Sequence, residues 1–144
     1  MAVIEFSNVS KSFGEGTART DVLKNIDLKV EEGEFLVLLG FSGTGKTTLI
    51  NLMAGLETPT KGSVTFKGKP IDGPGRERGV IFQNYSLMPW LTVNGNVMLA
   101  VDTVFPNLPR KEKEEKVAHY VKMVGLGHAT TRRPAELSGG MRQR

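Results

Sequence analysis

Apolar positions along the chain change period several times, and each change marks an element. Val3, Ile4 and Phe6 open with a strand-like pattern, and Val9 to Gly14 read as a turn away from it. Val22, Ile26, Leu28 and Val30 roughly alternate and close on the turn Glu31-Glu32-Gly33. Two or three antiparallel strands are therefore expected before residue 34. Phe35-Leu36-Val37-Leu38-Leu39 is a continuous apolar run, which predicts a strand buried on both faces. A helix should follow over Leu49 to about Ala54, with Gly55 as its C-cap. Ser63 to Phe66 and Arg78 to Gln83 read as two further strands, with a turn at Asp72-Gly73-Pro74-Gly75 between them.

From Thr92 the period becomes helical. Val93, Val97, Leu99 to Val101 and Val104 share one face, and Pro106 and Pro109 end that helix. Pro109 is placed to be the first residue of the next helix, which carries the stripe Val117, Tyr120, Val121 and Val124. On its polar side Glu112 and Lys116 stand four apart in the favourable order. Ser138 has the character of an N-cap, with a last helix starting near Met141.

Composition narrows the chemistry. A chain of 144 residues with 39% hydrophobic and 24% charged positions suits one modest globular domain. There is no cysteine, which excludes disulfides, thiolate metal sites and thiol nucleophiles. His119 and His128 stand apart without ligand-like neighbours, so a histidine metal site is not expected. The net charge of +4 is mild, and the densest charge cluster, residues 110–116, mixes both signs. It reads as a solvated helix face, not a nucleic-acid surface. No apolar run is long enough to span a bilayer, and the N-terminus lacks the pattern of a signal peptide.

The chemistry-bearing stretch is Gly40-Phe41-Ser42-Gly43-Thr44-Gly45-Lys46-Thr47-Thr48. It lies between an apolar run and a helix, and fits the phosphate-loop spacing G-x-x-x-x-G-K-[ST]. Glycines permit positive φ and a close backbone approach to a ligand. Successive N–H groups and the positive end of the next helix then face an anion. Lys46 would reach the terminal phosphates, and Thr47 would sit on Mg²⁺. The glycines after Ser138 make a second place where amides could meet an anion, although four residues alone would equally suit a plain capped helix.

Leu137-Ser138-Gly139-Gly140, together with the phosphate loop before it, resembles the signature sequence of the ATP-binding-cassette (ABC) ATPases. Phe82-Gln83 resembles that family's Q-loop, and Phe13 occupies the place of the aromatic that stacks on adenine. The stretch from Phe82 to Val93 is most similar to the ATPase subunits of nitrate, nitrite and cyanate importers, with the taurine and sulfonate group next. The resemblance implies an α/β fold: a P-loop NTPase core with an N-terminal antiparallel β portion and part of a helical subdomain. The nucleotide-binding core would take residues 1–86 and the helical subdomain 87–144.

Function follows as expectation. ATP would bind through Phe13, Gly40, Phe41, Ser42, Gly43, Thr44, Gly45, Lys46, Thr47 and Thr48. Lys46 and Gln83 would serve catalysis, and Thr47 and Gln83 the Mg²⁺ ion. Ser138, Gly139 and Gly140 would contact the γ-phosphate of ATP held by a second ATPase subunit, in a head-to-tail dimer. Transmembrane permease subunits, and through them a substrate-binding protein, would be the further partners, with the protein at the cytoplasmic face of a bacterial inner membrane. Trp90 suits either core or an exposed contact with such a subunit. The family's metal-binding Asp, catalytic Glu and switch His have no counterpart in the sequence. The run Val97 to Asp102 imitates the metal-binding strand, but its pattern is helical and it precedes the signature. A nucleotide-binding piece without hydrolysis is thus the alternative to a transport ATPase. A P-loop kinase or GTPase fits less well because of the signature, and a soluble ABC ATPase acting on DNA or ribosomes gains nothing from the charge. Without further strands beside it, the run at residues 34–39 is expected to leave an apolar sheet edge exposed.

Overall fold

The computed structural model describes residues 2–144, which divide into two compact units at Val80/Ile81. The boundary lies a few residues before the division at 86/87 read from the sequence.

The first unit holds a four-stranded sheet in the order β2-β1-β3-β4, every pair antiparallel. β1 spans Ala2–Phe13 and β2 Thr20–Glu31. The expected turn at Val9 does not form. β1 runs on to Phe13 because irregularities in register absorb the break in alternation. Asn8 takes φ +49°, and its N–H donates to Asp27 Oδ1 at 2.7 Å instead of to the ladder. β3 spans Lys61–Phe66 and turns through Lys67 and Gly68 into the short β4, Lys69–Pro70. Helix α1, Lys46–Ala54, ends on Gly55 in the left-handed conformation, whose N–H reaches the Asn51 and Leu52 carbonyls. Leu49 and Leu52 of α1 pack on Phe6, Val9, Leu23 and Val64 of the sheet, forming the first core. Burial of each such side chain stabilises by about 1.5–3 kcal/mol.

Two expected strands are not formed. Residues 34–40 are irregular, with Phe35 and Leu39 each 89% exposed and Val37 56%. Leu38 alone of this run packs against the first core. The run is therefore docked on one side and open on the other. A strand exists only where a neighbour completes its ladder, and no described segment pairs with these residues. Arg78 to Gln83 behaves in the same way, with Ile81 95% exposed.

The second unit is helical. α2, Val93–Val104, begins at Thr92, whose hydroxyl accepts from the Gly95 N–H at 3.1 Å. The imitation strand at 97–102 thus lies within a helix, as its period predicts. α3, Arg110–Met123, starts one residue after Pro109, which is its N-cap. Val93, Val101, Val117, Val121, Leu126, Ala129 and Leu137 form the second core. Tyr120 of the expected stripe is half-exposed instead. The polar face is paired differently from the expectation: Arg110 bridges Glu114 at 2.8 Å, and Lys116 lies over the Phe105 ring. α4, Gly139–Gln143, closes the chain. No helix among the described residues is long and apolar enough to cross a membrane.

Candidate functional site: a phosphate loop and a signature corner

The phosphate loop is shaped by two glycines in the left-handed region, Gly43 at φ +81° and Gly45 at φ +90°. Gly45 is the N-cap of α1, so the turn runs directly into the helix. A Cβ on Gly45 would stand 2.9 Å from Leu23 Cδ2, 3.1 Å from Val22 Cγ1 and 3.2 Å from the Val22 carbonyl oxygen. The loop therefore presses its backbone onto β2, and only glycine fits there.

Lys46 is folded back over the loop. Its ammonium donates to the carbonyls of Gly40 at 2.8 Å and Phe41 at 2.6 Å, with Thr44 Oγ1 at 3.4 Å. The Thr44 hydroxyl itself donates to the Phe41 carbonyl at 2.9 Å. A cation is thus fixed at the mouth of the turn by three oxygens of the loop. The first turn of α1 adds N–H groups without intrahelical acceptors and the positive end of the helix. Phe41, Ser42, Gly43, Thr44 and Thr47 are exposed, while Gly45, Lys46 and Thr48 are partly covered. The donor set is a charged ammonium, backbone amides and hydroxyls. It suits the phosphates of a nucleotide, and the exposed Thr47 hydroxyl suits a hard cation such as Mg²⁺.

Phe13 lies at the end of β1, 41% exposed, in the same unit. Lys11 Nζ stands 4.8 Å from its ring centroid while pairing with Glu57 at 2.8 Å. Gln83 and the signature residues belong to the second unit. Gln83 is exposed on an irregular segment. Ser138 caps α4, its hydroxyl accepting from the Met141 N–H at 3.3 Å, with Gly139 and Gly140 forming the first positions of the helix. Trp90 is 66% exposed, which decides against core. Both histidines are exposed, and no cluster of metal-ligating side chains is found among the described residues.

The sequence reading missed Asn96. Its Oδ1 accepts from the Met88 N–H at 2.7 Å, and its Nδ2 donates to the carbonyls of Met88, Leu91 and Thr92. One amide side chain on α2 thereby sets the course of residues 88–92, downstream of Gln83. An Asn four residues after Thr92, in the first turn of a helix and after a loop rich in turn residues, was the available signal. Beside it lies an apolar groove of about 770 Å³, lined in part by Leu87, Met88, Leu99, Phe105 and Tyr120.

Fold and loop together place the chain in the P-loop class of α/β folds. The ABC transporter family model matches residues 23–144, and the chain belongs to that family. It is 51% identical over 142 residues to the bicarbonate transport ATP-binding protein CmpC of Synechococcus elongatus, covering 98% of this chain and 21% of that protein. It is 50% identical over 145 residues to the nitrate import ATP-binding protein NrtC of Synechocystis, covering 100% and 22%. The nitrate transport protein NasD of Klebsiella oxytoca is 45% identical over 143 residues, covering 99% and 55%. Among solved structures, an ATP-binding cassette captured as a dimer after hydrolysis, bound to ADP and Pi, superposes with a TM-score of 0.83 at 29% identity. That match covers 96% of this chain and 65% of the cassette. The chain thus spans about a fifth to a half of the length of these curated relatives.

Proposed function

We propose that this chain carries the nucleotide-binding half-site of an ABC importer ATPase that drives uptake of a small oxyanion of the nitrate type. The observation that carries the reading is the Lys46 ammonium held by the Gly40 and Phe41 carbonyls at the head of α1. In this reading the loop binds the phosphates of ATP, Thr47 and Gln83 hold Mg²⁺, and Phe13 stacks on the base. Lys46 and Gln83 stabilise charge and position water at the transferred phosphoryl group. Ser138, Gly139 and Gly140 close over the nucleotide of a second cassette placed head to tail. Permease subunits bind the second unit at the cytoplasmic face of the membrane. Its exposed Trp90 and the apolar groove beside α2 support a contact of that kind.

Support for the oxyanion comes from relatives named for nitrate import. A bicarbonate reading is supported to the same degree, by a relative at 51% identity. Lys46→Ala tests the core of the proposal. Loss of a charge-assisted contact of about 1.5–3 kcal/mol should weaken ATP binding roughly 10- to 150-fold, read by equilibrium binding of a labelled nucleotide. Unchanged affinity would remove the reading altogether.

A further inference from the structure

The loop that carries Gln83 and the signature corner lie in one unit, and one side chain joins them. Tyr85, 43% exposed, faces Arg142 of α4, with the guanidinium carbon 5.3 Å from the ring centroid. Its hydroxyl stands 3.7 Å from the point where a Cβ on Gly139 would lie. Arg142 Nε is buried and has no hydrogen-bond acceptor. The negative face of the ring therefore offsets part of the cost of removing that guanidinium edge from water.

The backbone around Tyr85 is shaped for this contact. Ser86 takes φ +53°, a left-handed turn that a non-glycine residue adopts only under constraint. Its hydroxyl donates to the Asn84 carbonyl at 2.9 Å, closing the turn locally. Beyond the turn, Met88 is tied to Asn96 of α2. The loop is thus held to α2 at its far end and to α4 near Gln83.

We infer that Tyr85 is a positioning residue: through Arg142 it latches the Gln83 loop to the signature helix, so that Gln83 and the Ser138-Gly139-Gly140 corner are carried as one body. The inference deepens the proposed function and rests on it only for its catalytic consequence. If both elements act on nucleotide, a loosened Tyr85 lets Gln83 wander from its working position while the phosphate loop still binds ATP. Turnover then falls without a matching change in nucleotide affinity.

The test is a double-variant cycle on the full chain. Amide hydrogen exchange is followed at Met88, whose N–H donates to Asn96 Oδ1 at 2.7 Å, with α2 and α3 as internal references, alongside steady-state ATP turnover. Tyr85→Leu keeps bulk but loses the ring face, and Arg142→Gln loses the cation. Each should speed exchange in the loop about tenfold, and the double variant should go no further than either single one. Tyr85→Phe keeps the ring face and should stay within about twofold of the parent. The α2 and α3 amides should be unmoved throughout. In a chain that hydrolyses ATP, kcat should fall in Tyr85→Leu with KM unchanged. Additive effects, unchanged loop exchange in Tyr85→Leu, or a Phe variant as loose as the Leu variant would each overturn the latch. Should Tyr85→Leu also loosen α2 and α3, the Arg142→Gln and Arg142→Lys pair decides, the Lys variant keeping more protection. A parent chain that binds no ATP would end the functional reading, while the exchange cycle still judges the latch.

Discussion

Gly45→Ala probes how the phosphate loop is joined to its sheet. Two costs add at this position. The first is conformational: at φ +90° an L side chain carries about 1–2 kcal/mol of strain. The second is steric: the new methyl would meet Leu23 Cδ2 at 2.9 Å and the Val22 carbonyl oxygen at 3.2 Å. Leu23 is 7% exposed and belongs to the first core, so it has little room to yield. Overpacking of that kind costs about 1–3 kcal/mol. Together the change should destabilise the junction of β2, loop and α1 by roughly 2–5 kcal/mol. Gly43→Ala is the matched control, since at φ +81° it carries the strain but has nothing within 4 Å of its Cβ position. The readout is hydrogen exchange at the Leu49 amide, which donates to the Gly45 carbonyl at 2.9 Å. At 1.4 kcal/mol per tenfold, exchange should accelerate about 30- to several-thousand-fold for Gly45→Ala, and about 5- to 30-fold for Gly43→Ala. Equal acceleration in the two variants would refute the steric argument, and with it the close approach of loop and strand.

Four other outcomes are expected. Asn96→Asp keeps an acceptor for the Met88 N–H but loses the donors to three carbonyls, and should destabilise the second unit by about 2–3 kcal/mol in urea unfolding, more than an exposed Asn→Asp control. Phe13→Ala should weaken ATP binding by about 5- to 100-fold while leaving inorganic tripolyphosphate binding unchanged, because stacking acts on the base alone. The 144-residue chain by itself should self-associate through Phe35, Val37 and Leu39, seen by light scattering; a sharp, reversible thermal transition would contradict this. Asp21 is held below the ordinary carboxylate range, first by the Ser12 hydroxyl and then by Lys24 and Arg19. Its stabilisation is therefore present above the unfolded value near pH ~4 and lost as pH falls through the folded value, so Asp21→Asn should flatten the acid side of a urea-midpoint profile.

What could be read from the sequence was what local chemistry decides. The spacing from Gly40 to Thr48, the C-cap at Gly55 and the cap at Ser138 each depend on a few neighbouring residues, and each has the expected backbone. The misreadings are non-local. Residues 34–39 have the composition of a buried strand, but a ladder needs a partner, and composition does not name one. β1 outran its expected end because bulges let a strand survive lost alternation, and bulges leave little trace in a hydrophobic pattern. Glu112 and Lys116 had the right spacing, yet Arg110 pairs with Glu114 and Lys116 covers Phe105. Exposed ion pairs are worth so little that sequence spacing cannot rank them. Asn96 and Tyr85 went unseen because their partners, a run of loop carbonyls and an arginine near the C-terminus, are set by the packing of the second unit.

The same division between local and non-local governs how far function can be read. A triphosphate is recognised by amides, one ammonium and a hydroxyl within a nine-residue stretch, so nucleotide binding is written locally and matches across a family. In the proposed reading the transported anion meets none of these groups. Bicarbonate and nitrate relatives accordingly overlap in identity to this chain, CmpC at 51% beside NrtC at 50%. In the proposed reading, discrimination between them belongs to surfaces that touch other subunits, and on this chain exposed apolar residues of the second unit, Ile81, Trp90, Leu99, Tyr120 and Met123 among them, have area to spend on such contacts. Differences among relatives at those positions should therefore follow the partner subunit, whereas residues 40–48 should be interchangeable between nitrate and bicarbonate systems without loss of nucleotide binding.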